Sequence, residues 1–146
     1  MLNSRITPCL LIDNDELYKT VNFKSPKYVG DPLNAVRIFN EKNVDELLFV
    51  DIDASKKNEE PNYELIRKIS EECRMPLTYG GGIKNIFQIE KIISLGVEKV
   101  SLSSVLFDNP SIIKEASKVI GSQSITVTID IKKTGILKNY KIFIKN

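Results

Sequence analysis

The chain has 146 residues, 42% of them hydrophobic and 27% charged, with a formal net charge of +2 and no histidine. That size and composition fit one folded domain over residues 1–146 and exclude a disordered segment or a strongly basic nucleic-acid binder. Without histidine the commonest general base and metal ligand is missing, so acid–base chemistry falls to Asp, Glu, Lys, Tyr or Cys, and neither a metal site nor a cofactor is expected.

Strand and helix patterns alternate along the chain. Arg5 to Ile12 is a short apolar run bounded by Asp13-Asn14-Asp15, and is expected to form a buried strand, with Pro8 awkward inside it. Asp31-Pro32 is an N-cap followed by proline at the first helical position, and Leu33, Val36 and Phe39 continue at helical spacing. Glu46 to Ile52 is the second strand. Asn62 opens a second helix with Leu65, Ile66, Ile69 and Cys73 on one face. Pro76 to Tyr79 is the third strand, followed at once by Gly80-Gly81-Gly82. Asn85 caps a helix carrying Ile89, Ile92 and Ile93 that ends at Gly96. Lys99 to Ser103 is the fourth strand, Asn109-Pro110 caps a helix running to about Ile120, and Ser124 to Ile131 is the fifth strand. A turn at Thr134-Gly135 leads to one more short strand over Lys138 to Lys145.

Each crossover is long enough for a helix, which implies parallel strands with helices outside. The fold class expected is α/β, either an open doubly wound sheet or part of a closed barrel, and a complete barrel needs roughly 250 residues. Alternation puts Cys9, Leu11, Phe49, Val127 and Ile129 on the inner face, and two sheet edges are left open. Ile6 to Ile12 and Ile125 to Ile131 align without a gap, which sets Leu11 opposite Asp130. Met1 to Arg5 lacks the pattern of a secretory leader, and the apolar runs are too short to span a bilayer, so no membrane partner is expected. Cys9 and Cys73 lack CxxC spacing and sit in apolar patterns, which predicts buried, reduced thiols in a cytoplasmic protein. Lys132 to Lys145 is lysine-rich and is read as a solvated face, so no nucleic-acid partner is expected.

In a parallel α/β sheet, ligands bind beyond the carboxyl ends of the strands. The polar residues at those ends are Asp51, Asp53, Ser55, the glycine triplet, Ser101, Ser103, Ser104 and Asp130. Asp51 and Asp130 lie within apolar runs, where an acid must be paired or face a cavity. The triplet lets backbone N–H groups approach an anion, and with Ser103-Ser104 on the next strand it forms a candidate phosphate cradle.

These residues come in an order that resembles a known family. Arg5 to Leu10, Lys19, Asn22-Phe23, Gly30-Asp31-Pro32, Asp45-Glu46-Leu47, Phe49-Val50-Asp51-Ile52, Ala54-Ser55, Tyr79 to Ile83, Gly96, Lys99-Val100, Asn109-Pro110, Gly121-Ser122-Gln123 and Ile129-Asp130 resemble the cyclase subunit of imidazole glycerol phosphate synthase. The resemblance runs without gaps through Lys133 and covers the first half of that family's barrel plus its fifth strand. It implies a parallel half of a TIM (β/α)₈ barrel, with strands one to five and four helices. It also implies a glutaminase subunit as partner, ammonia crossing the barrel, and a phosphorylated small-molecule substrate. Arg5, Glu46 and Lys99 match the charged gate where ammonia enters. Lys19, Asp51, Gly81, Gly82, Ser103 and Ser104 fall in the substrate and phosphate set, with Ser103-Ser104 where the family usually has Asn-Thr. Asp130 matches one catalytic carboxylate. The other should stand at position 11, where this chain has Leu11. Asp13, about 7 Å further along the same strand face, is the nearest acid. The second copies found with sugar-modification enzymes resemble the chain better, which implies ammonia delivery to acetamidino-sugar synthesis for surface polysaccharides. The alternatives are a histidine-pathway cyclase and a non-catalytic half-barrel that serves as an assembly module. A homo-oligomer is expected from the uncovered inner face.

Overall fold

A computed structural model of the chain describes residues 4–134 and 139–143. In chain order it has β1 (Cys9–Asp13), β2 (Glu16–Val21), β3 (Lys24–Gly30), α1 (Pro32–Lys42), β4 (Leu47–Asp51), α2 (Ala54–Lys57), α3 (Tyr63–Glu72) and β5 (Leu77–Gly80). It continues with α4 (Ile86–Ser94), β6 (Lys99–Leu102), α5 (Val105–Asp108), α6 (Ile112–Ile120), a 3₁₀ turn, β7 (Ile125–Val127), β8 (Asp130–Thr134) and β9 (Asn139–Phe143). One sheet runs β3-β2-β1-β4-β5-β6-β7, and every pair from β1 to β7 is parallel. The five parallel strands and four full helices of a partial TIM barrel are therefore present.

Local chemistry sets most of the helix starts. The Asp31 carboxylate accepts the Asn34 N–H at 2.8 Å, with Pro32 behind it. The Asn62 and Asn85 side chains accept the N–H groups of Leu65 and Gln88. The expected cap at Asn109 is displaced. Asn109 closes α5, donating its N–H to the Val105 carbonyl at 2.7 Å, and α6 starts two residues later with Ser111 as its N-cap.

Each strand presents alternate residues to the helices. Leu47 and Phe49, Leu77 and Tyr79, and Val100 and Leu102 pack with Val36, Ile66, Ile69, Ile89, Ile92 and Ile112 in one core. The other face carries two registered rows, Cys9-Leu48-Thr78-Lys99 and Leu11-Val50-Gly80-Ser101-Thr126. Cys9 and Leu11 thus lie on the open face as expected. Phe49 does not, being fully buried under the helices. Val127, in register with Leu102, belongs to the helix side as well. Both faces of β4 are apolar, so alternation alone could not distinguish them. Cys9 is exposed rather than buried, because no element covers that face; Cys73 is half-buried, and both thiols are free.

Two further differences shape the site. Residues 16–30 form an antiparallel hairpin against β1. One of the two edges expected to be open is therefore covered. The fifth parallel strand stops at Val127 and does not run on to Ile131: Thr128 still donates its N–H to the Leu102 carbonyl, and then β8 leaves to pair with β9. The lysine-rich end pairs with β8 and adds no strand to the main sheet. Gly135, Lys138 and Lys145 of the expected turn and last strand, and Met1 to Asn3 of the expected leaderless start, lie outside the described residues. No helix among the described residues is long and apolar enough to cross a membrane.

Candidate functional site

A cavity of about 360 Å³ opens at the carboxyl ends of the parallel strands. Leu11, Val50, Asp51, Ser55, Lys56, Gly80, Gly81, Gly82, Ser101, Ser103, Ser104, Thr128 and Asp130 line it, and Thr20 and Phe23 reach it from the hairpin. Asp51 ends β4 and turns its Oδ1 to the N–H groups of Asp53 and Ala54 at 3.0 and 2.9 Å. Burial raises its carboxyl above the ordinary value, while those two amide bonds oppose the rise. Gly81 has φ +109, and a Cβ there would overlap the Asp51 carbonyl oxygen. The Gly82 N–H and the Ser104 hydroxyl both donate to Ser55 Oγ at 3.3 Å. The Ser101 and Thr128 hydroxyls share a short hydrogen bond across β6 and the end of β7.

At the opposite, amino ends of the strands lies a charged cluster on the same open face. Lys99 Nζ donates to both Glu46 oxygens at 2.9 and 3.0 Å, the Thr78 hydroxyl donates to Oε1 at 2.8 Å, and Arg5 Nη2 stands 3.9 Å from Oε2. Burial pushes the Glu46 carboxyl up, but the bonds from Lys99 and Thr78 outweigh it and hold the group below its ordinary value.

A family model described as "Histidine biosynthesis protein" matches residues 5–146. The chain belongs to that family. Among its relatives, a putative imidazole glycerol phosphate synthase subunit HisF of Leptospira interrogans is 51% identical over 146 residues, covering 100% of this chain and 58% of the relative. A putative subunit hisF3 of Vibrio vulnificus is 59% identical over 133 residues, 91% of this chain and 51% of the relative. The imidazole glycerol phosphate synthase subunit HisF of Lactococcus lactis is 39% identical over 145 residues, 99% of this chain and 56% of the relative. The chain thus spans just over half the length of these relatives.

Of the residues singled out for this histidine-biosynthesis family member, the structure gathers Asp51, Gly81, Gly82, Ser103, Ser104 and Asp130 around one cavity, and Arg5, Glu46 and Lys99 around one carboxylate. Lys19 is not among the cavity residues: on β2 it alternates with Thr20, which is. Leu11 lines the cavity with Asp130, whereas Asp13 does not. Burial, and next a hydrogen bond with the Asp53 carboxyl, raise Asp13 above its ordinary value. Sequence reasoning missed Thr78, although it shares a row with Lys99, and also Lys56, Thr20 and Thr128.

The Glu46 cluster makes a prediction about acid stability. A carboxyl held below its ordinary value stabilises the fold fully above the unfolded range, near ~4.3, and loses that contribution as pH falls through the folded value. Urea midpoints of the wild type and Glu46→Gln should differ at neutral pH and converge once the pH has fallen below the lowered folded value. An unchanged gap at the acid end would mean that the charge on Glu46 contributes nothing.

Proposed function

We propose that the chain is the amino-terminal barrel half of an imidazole glycerol phosphate synthase cyclase-like subunit that accepts ammonia from a glutaminase partner. We assign it to the paralogue serving acetamidino-sugar synthesis rather than to ring closure. The observation that carries this reading is an asymmetry between the two ends of the strands. At the amino ends, Arg5, Thr78 and Lys99 gather around the Glu46 carboxylate in a compact charged cluster, of a kind that can pass a small neutral molecule while stopping ions. At the carboxyl ends, one cavity is lined by both Asp130 and Leu11, the position where the resemblance sets the family's second carboxylate. Leucine cannot move a proton, and general acid–base assistance is worth about 10²–10⁴-fold. Numbered copies and "putative" subunits match the chain at higher identity than plain HisF does, in line with a paralogue.

The test is turnover. Given the family's phosphoribosyl substrate and ammonium salts, the chain should produce no imidazole product above background. Product formation that disappears in Asp130→Asn would overturn the reading, because one carboxylate would then suffice.

A further inference from the structure

We propose that Ser55 and Lys56, adjacent in α2, are two further phosphate-recognition residues of this cavity, Ser55 positioning the cradle's donors and Lys56 supplying the countercharge. The inference rests on the phosphate-cradle reading of Gly82 and Ser104. Three loops converge on Ser55 Oγ: it sits after β4, the Gly82 N–H comes from the loop after β5, and the Ser104 hydroxyl from the loop after β6. Both donors point at one oxygen, as they would at a phosphate oxygen. At 3.3 Å both bonds are long for their type, so a charged phosphate oxygen, a stronger acceptor, can draw both donors towards itself. With Oγ accepting twice, the Ser55 hydroxyl hydrogen is left to donate to the anion.

Neutral donors do not balance a phosphate's charge, and the acids on this cavity, Asp51 and Asp130, have the wrong sign. Lys56 is the cation that lines it among the described residues. Its neighbour Lys57 is bound to Asp53 at 3.2 Å and Asn14 at 2.9 Å, and Lys84 is bound to Asn58, whereas Lys56 makes no hydrogen bond or ion pair with another described residue. Lys56 acts on Asp53 only through space, and an exposed cation on the cavity rim that is fixed by no hydrogen bond can turn to the ligand.

The experiment titrates inorganic phosphate into the full 146-residue chain and follows the backbone amide resonances of Gly82 and Ser104. Phosphate should shift both. Ser55→Ala and Lys56→Met should each weaken binding about tenfold, as for loss of one hydrogen bond to a charged group. Ser55→Thr and Lys56→Arg should restore most of it, and Lys56→Met should flatten the dependence on ionic strength, which a merely structural role would leave unchanged. Wild-type affinity in either Ser55→Ala or Lys56→Met, with binding lost in Ser104→Ala, overturns the proposal and leaves the cradle standing. Amides of Gly82 and Ser104 that ignore phosphate in the wild type overturn the cradle itself, and this proposal with it.

Discussion

Gly81→Ala should destabilise the chain by about 3–5 kcal/mol, a large part of the roughly 5–15 kcal/mol a domain of this kind has. Two effects add. The residue sits at φ +109, where any side chain is strained by about 1–3 kcal/mol. The new methyl would also meet the Asp51 backbone, which is pinned because the Asp51 carboxylate caps the following turn. Backbone held from both sides cannot step aside as the end of a flexible side chain can. Urea denaturation should show the loss. Phe87→Ala, at a side chain 84% exposed, is the control and should stay within about 0.5 kcal/mol. A wild-type midpoint in Gly81→Ala would mean that the turn relaxes freely and that the glycine is no requirement of the site.

The 146-residue chain made by itself should sediment as a dimer or higher oligomer at micromolar concentration. Its open face carries Cys9, Leu11, Leu48 and Val50 with no described helix over them, and Ile129 and Ile131, after the fifth parallel strand, are 50% and 59% exposed. Apolar surface gains about 25 cal/mol per Å² on leaving water, and a specific interface takes roughly 800 Å² from each partner. A face of this kind is ordinarily covered by the rest of a barrel, and a second copy is the partner available to an isolated chain. A well-folded monomer by light scattering would count decisively against this and would mean that the face is less sticky than its composition implies.

The helices and the parallel order were legible because their signals are local. Asp31-Pro32, Asn62 and Asn85 satisfy the first free N–H groups within three residues, whereas Asn109-Pro110, the same kind of signal, yields the α6 cap to Ser111. That the polar strand-end residues would gather around one cavity was legible because parallel strands end together, although Asp51 also caps the turn that follows it. The hairpin was harder to read. Its turns, Asn14-Asp15 and Asn22-Phe23, take left-handed backbone at both positions, but only asparagine and aspartate announce that, and Phe23 at φ +62 does not. The fifth strand is apolar beyond Val127, so composition continued a strand that the fold breaks to start β8. Register was the other hidden quantity. Thr78 joins Glu46 because β5 pairs Thr78 with Leu48 on β4, and Lys99 joins them because β6 pairs it with Thr78; no property of any one segment fixes those alignments.

The hairpin also gives the sheet a polarity. Its outer strand, β3, carries Lys24, Pro26 and Lys27 and pairs with β2 through shifted register, all devices that discourage a further strand from adding there. β7 at the far side is three residues long, and among the described residues no strand pairs with its outer edge. A sheet with one closed and one open edge cannot stack head to tail, since the second contact of every unit is blocked. Association through the edge must then be isologous, β7 against β7 about a two-fold axis, and it stops at a pair instead of growing into a filament.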